Sequence, residues 1–83
     1  MQDSLSQLEN VRTLLAEALQ VPMDNVRPDL RFGDLPQWDS MGHMEIMMQL
    51  EMQMGIDVNA DTISTLISIP AICDYLAKKN GKG

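Results

Sequence analysis

Cysteine is nearly absent: Cys73 stands alone, which excludes an internal disulfide framework and any multi-cysteine metal site. The fold must therefore rest on apolar packing. Basic residues are also scarce, six against twelve acidic ones for a formal net charge of -6, a balance that argues against a nucleic-acid or anionic-membrane surface and for basic partners. No apolar run approaches the length that spans a bilayer, so no membrane insertion is expected. The opening Met1-Gln2-Asp3-Ser4 has neither the charged nor the apolar region of a signal peptide, and the expectation is a soluble cytoplasmic protein. There is no strand alternation, no internal repeat and no Asp-x-Asp-x-Asp-Gly calcium loop. Eighty-three residues make one small domain, 1–83, near the size at which a single core just suffices.

What is present is helical punctuation. Ser4 and Gln7 stand at capping-box spacing, and Leu5, Leu8, Val11, Leu15, Ala18 and Leu19 then recur at helical intervals until Pro22. Glu9, Arg12 and Glu17 are expected on that helix's solvated side. From Gln20 to Trp38 there is no period, only Val21, Met23, Val26, Leu30, Phe32 and Leu35 between Pro22, Pro28, Gly33 and Pro36. Such a long loop is expected to be ordered, pinned across the helices by its scattered apolar residues. Asp39 opens a central helix that Gly55 closes. Asn59 caps a short helix from Ala60 to about Leu66, and Ser68 caps a last one with Pro70 in its first turn. Ile69, Ile72, Cys73 and Leu76 form the buried face of that last helix, Lys78 and Lys79 complement its dipole, and a tail from residue 80 to 83 is expected to fray. The fold class is all-α: a small four-helix bundle with a long first loop and a short third helix, ordered over about residues 3–79.

The central helix is unusual. At 100 degrees per residue, Ile46, Met47, Leu50 and Met54 share one side, while Met41, Met44, Met48 and Met52 share the other, with a polar seam of Gly42, Glu45, Gln49 and Gln53 between. One apolar stripe is enough to dock a surface helix, so the second needs another explanation. It begins beside Ser40. With Asp39 as N-cap, Ser40 takes the first helical position and its hydroxyl points outward, where an attached anion would meet unpaired backbone N–H groups at the positive end of the dipole. Trp38 and His43 then occupy the two positions of a hydrophobic staple, and the indole is expected over the imidazole.

Asp39-Ser40-Met41, followed by Glu45, Leu50-Glu51, Met54, Val58 and Ser68-Ile69, resembles the acyl carrier protein family and its peptidyl carrier relatives. The resemblance implies that 4′-phosphopantetheine from coenzyme A is attached to Ser40 by a phosphopantetheinyl transferase, with Asp39 assisting near the transferase's magnesium ion. The arm's thiol would carry acyl groups as thioesters. It implies further that Met41, Met44, Glu45, Met48, Glu51 and Met52 dock acyl-loading and acyl-processing enzymes that offer basic and apolar patches, with Asp57 and Asp61 less closely matched. In that family the carried chain can slip between helices into the core. The protein would be a monomeric, non-catalytic carrier. Gly42, Met52 and Gln53 stand where fatty-acid carriers usually have acidic residues, so the local phrasing is more similar to specialised discrete carriers of polyketide, aminoacyl or surface-polysaccharide pathways.

Three other readings stay open at this stage. The methionine stripe would be core if the long loop covered it. An unmodified adaptor would use that stripe directly. A serine hydrolase would pair Ser40 with His43 and Asp39, although an aspartate that caps its own helix is occupied and no oxyanion hole is evident. Cys73 is expected to be an inert core thiol.

Overall fold

The computed structural model describes residues 4–81, with side chains from 6 to 79. Among them are four α-helices, α1 (Ser4–Leu19), α2 (Ser40–Met54), α3 (Ala60–Thr65) and α4 (Ile69–Gly81), and a single 3-10 turn, Met23–Asn25. No strand occurs among the described residues, and Arg31 and Ser68 form one isolated bridge. None of these helices is long and apolar enough to cross a membrane.

Local chemistry sets the helix limits. The Asp39 carboxylate accepts from the Gly42 amide at 2.9 Å, and Gly55 closes α2 in the left-handed region at φ 70. The Gly55 amide bonds the Glu51 carbonyl at 3.2 Å and that of Ile56 bonds Leu50 at 3.3 Å, which satisfies carbonyls that the helix end would otherwise orphan. Asn59 and Thr62 form a reciprocal capping box at α3. Ser68 Oγ accepts from the Ala71 amide at 3.1 Å. α4 runs on to Gly81, so Asn80 and Gly81, expected in a frayed tail, continue the helix; Lys82 and Gly83 lie outside the described residues. So do the side chains of Ser4, expected as a cap, and Leu5, expected in the core.

α1 packs chiefly against α2 and α4. Their shared core holds Val11, Leu14, Leu15, Ile46, Met47, Leu50, Ile69 and Ile72, all buried; fully burying an aliphatic side chain of this size contributes roughly 1.5–3 kcal/mol. Leu14 belongs to this core although the α1 pattern did not single it out. Gln7 ties α1 to α4 by donating to the Cys73 carbonyl at 3.1 Å.

The long loop is ordered, and a residue expected in solvent helps to hold it. Arg12 Nε donates to the Val26 carbonyl at 2.6 Å and Nη2 to that of Met23 at 3.2 Å, while Nη1 meets Glu9 at 2.8 Å. Arg12 is thus a clamp from α1 to the loop: its guanidinium fork donates to the Val26 carbonyl and adds a second donor to the Met23 carbonyl, which also accepts from the Val26 amide. Further along, the Phe32 amide bonds the Ile67 carbonyl at 2.8 Å and the Ile69 amide bonds that of Leu30 at 2.9 Å. Val21, Val26 and Leu30 are buried. The loop therefore reaches Trp38 on a fixed path.

Candidate functional site

Four residues set the start of α2. Trp38 is fully buried at 0 % exposure and anchors the chain just before the helix. Asp39 turns its carboxylate back onto Gly42, and the His43 amide bonds the Asp39 carbonyl at 2.7 Å. Ser40 is exposed at the first helical position, where the amides of Ser40 and Met41 have no partner within the helix. An oxygen facing solvent beside free N–H groups at a helix N-terminus suits a covalently attached phosphodiester. Among the described residues, no group of His, Cys, Asp and Glu is placed to hold a metal ion.

Trp38 and His43 meet as the staple spacing predicts, with a polar bond added. Their rings lie 6.1 Å apart at 27°, and Trp38 Nε1–H donates to His43 Nδ1 at 3.0 Å. The indole N–H can only donate, so Nδ1 must accept. His43 Nε2 then carries the proton and donates to the Ile63 carbonyl, 2.7 Å away in α3. Both ring nitrogens are committed and the imidazole is buried, so His43 is not free to serve Ser40 as a base. The hydrolase reading loses its base.

Phe32 stands edge-on to both rings, 5.5 Å and 89° from His43 and 6.4 Å and 65° from Trp38. With Met44, Ile63 and Ile67 it lines an apolar trough of about 440 Å³ to which His43 and Ser40 also contribute. The sequence pattern did not bring Phe32, Ile63 and Ile67 together, because they come from the loop, α3 and the turn before α4.

α2 keeps its two apolar stripes on opposite sides. Ile46, Met47 and Leu50 are at 0 %, while Met41, Met44, Met48 and Met52 stand at 83 %, 43 %, 48 % and 73 %. The loop does not cover the second stripe, which removes the reading of those methionines as core. Glu45, Glu51, Asp57 and Asp61 are exposed. Gly42 has a packing reason that spacing could not disclose. A Cβ there would collide with the Gln37 carbonyl oxygen and come within 2.9 Å of Leu19 Cδ2, so no side chain, acidic or otherwise, fits without moving the loop or α1. Glycine inside a helix costs about 1 kcal/mol relative to alanine, and that cost was the signal that a close approach exists. Cys73 is only partly buried, less than its place in the pattern predicted, yet burial still pushes its thiol above the ordinary value.

A family model described as "Phosphopantetheine attachment site" matches residues 9–76. Among curated proteins, an "Acyl carrier protein" from Thermosynechococcus vestitus is 26% identical over 72 residues, covering 87% of this chain and 89% of its own length. An "Acyl carrier protein" from Solidesulfovibrio magneticus is 24% identical over 78 residues, covering 94% of this chain and 100% of its own.

Proposed function

Because the chain belongs to the acyl carrier protein family, whose cofactor is 4′-phosphopantetheine, we propose that Ser40 bears the arm and that its thiol carries acyl groups as thioesters to partner enzymes. The observation that supports this most is the setting of Ser40: exposed at the first position of α2, behind the Asp39 cap and at the end of the uncovered methionine stripe. Ser40 and Asp39 supply attachment and recognition by a phosphopantetheinyl transferase. The arm supplies the reactive thiol; the protein's part is presentation. Members of this family are non-catalytic carriers, and we read this chain as one carrier domain that works as a monomer in the cytoplasm.

Docking falls to Met41, Met44, Glu45, Met48, Glu51 and Met52. Methionine is flexible and polarizable, which suits a face that must fit several partners in turn, and the carboxylates among them favour basic patches. We place the chain with specialised discrete carriers rather than with the general fatty-acid carriers. Gly42 supports this, since the approach of Gln37 and Leu19 forbids an acidic side chain there, and Met52 and Gln53 leave the face more apolar.

The test is intact mass after incubation with coenzyme A, magnesium and a broad-specificity phosphopantetheinyl transferase. The expected result is one phosphopantetheine increment on the wild type and none on Ser40→Ala. An increment that persists in Ser40→Ala overturns the assignment of the site. No increment on folded wild type, with the transferase active on another carrier, favours an unmodified adaptor.

A further inference from the structure

Ser40 lines an apolar trough together with His43, and His43 carries a polar bridge whose outer bond crosses the seam between α2 and α3. On one side Trp38 Nε1–H reaches His43 Nδ1 at 3.0 Å; on the other, His43 Nε2 reaches the Ile63 carbonyl at 2.7 Å. Trp38 is at 0 % exposure and His43 at 4 %. The neighbouring residue of α3, Thr62, is also buried, and its hydroxyl donates to the Asp57 carbonyl at 2.8 Å. α3 is therefore tied to the linker before it at Thr62 and to α2 at Ile63.

We infer that this bridge bars the carried group from the core and confines it to the outer trough of Phe32, Met44, Ile63 and Ile67, so that the cargo is a short or polar acyl group. The inference rests on the proposed attachment at Ser40. Parting α2 from α3 to admit an alkyl chain would break the His43 to Ile63 bond and leave the imidazole Nε2–H and the Ile63 carbonyl facing an apolar guest. Groups left unpaired in this way cost more than an ordinary hydrogen bond contributes. Behind the bridge, Ile46, Met47 and Leu50 are all at 0 %, and packing of that kind yields space only at a cost. A long alkyl chain kept outside would leave most of its methylenes in water, which the hydrophobic effect opposes; a short or polar group meets no such penalty. In the family resembled above the carried chain can slip between helices; on this inference the chain carried here stays outside.

Trp38 is the only tryptophan, so its indole N–H resonance and fluorescence report on the bridge directly. Acetyl and dodecanoyl arms are loaded from the corresponding coenzyme A thioesters, attachment at Ser40 is verified by intact mass, and methyl and indole NMR spectra are compared. The expected result is shifts confined to Met44, Ile63, Ile67 and the Phe32 ring, with Ile46, Met47, Leu50 and the Trp38 indole unmoved by either arm. Dodecanoyl-dependent shifts in those core methyls or in the indole overturn the inference while leaving the attachment intact. Failure of any arm to attach at Ser40 overturns both readings.

Trp38→Phe keeps a buried ring, smaller than the indole, and removes the donor that fixes the His43 tautomer, and His43→Phe fills the space without bridging. In whichever variant folds, the dodecanoyl arm is expected to shift the core methyls. A folded variant whose core methyls stay unmoved overturns the role of the polar bridge.

Discussion

Two adjacent methionines on α2 have opposite surroundings: Met47 is at 0 % exposure and Met48 at 48 %. They share a residue type, a helix and nearly the same neighbours in sequence. What separates them is 100 degrees of rotation about the helix axis, which turns one into the core and the other toward solvent. The comparison extends along the helix, with Ile46 and Leu50 beside Met47 and with Met41, Met44 and Met52 on the side of Met48. One stripe holds the bundle together. The other remains available, and a run of exposed methionines beside the site is a surface to be explained by contact with partners.

The same substitution at both positions is the sharpest way to break this comparison. Met47→Gln buries an amide without partners and gives up close packing, so the folded state should be destabilised by about 3 kcal/mol. For a domain of this size that is a fall in melting temperature of more than about 10 °C. Met48→Gln should change stability by no more than about 0.5 kcal/mol, while weakening docking to partner enzymes. Thermal denaturation of the pair decides the matter: equal losses would mean that the two faces are not distinct.

Gly42→Ala is next in size. In an isolated helix the change would stabilise by about 1 kcal/mol. Here the added methyl meets Gln37 and Leu19, and overpacking against backbone costs about 1–3 kcal/mol, so a net loss should appear in chemical denaturation. A gain would show that the loop yields freely at this point.

Glu45→Lys probes the uncovered face with almost no effect on stability. Association with a partner enzyme should slow several-fold at low ionic strength, and the difference should shrink as salt rises toward a Debye length of about 3 Å near 1 M. Stopped-flow association measured across a salt series reads this directly. The smallest effect is at Cys73. Burial raises its thiol, so less thiolate forms at a given pH than in an unfolded chain, and the rise of alkylation rate with pH should lie above that of the denatured protein.

The helix starts were legible in the sequence because caps act over three residues: Asp39 on Gly42, Asn59 on Thr62 and Ser68 on Ala71 involve no distant partner. The two stripes were legible because the helical period is a local property of the backbone. Arg12 was misread as solvated for the opposite reason. Its partners, Val26 and Met23, are carbonyls of a loop without a period, and nothing in the α1 pattern points to them. Leu14 likewise is buried in the shared core, and how wide a stripe of α1 its neighbours cover is not specified by a single helix.

By itself, then, the sequence determined the helices, the caps that open α2, α3 and α4 and the exposure of Ser40 beside the second stripe, since each depends on interactions within a few residues or on a regular period. The tertiary structure decided how the bundle is closed. The bond from His43 to Ile63 joins residues twenty apart, and the absence of a side chain at Gly42 matters only because Gln37 and Leu19 lie against it. The trough beside Ser40 is built from the loop, α2, α3 and the turn before α4. Such contacts depend on where separate elements come to rest in three dimensions, and hydrogen bonding and close packing act between whatever groups that arrangement brings together.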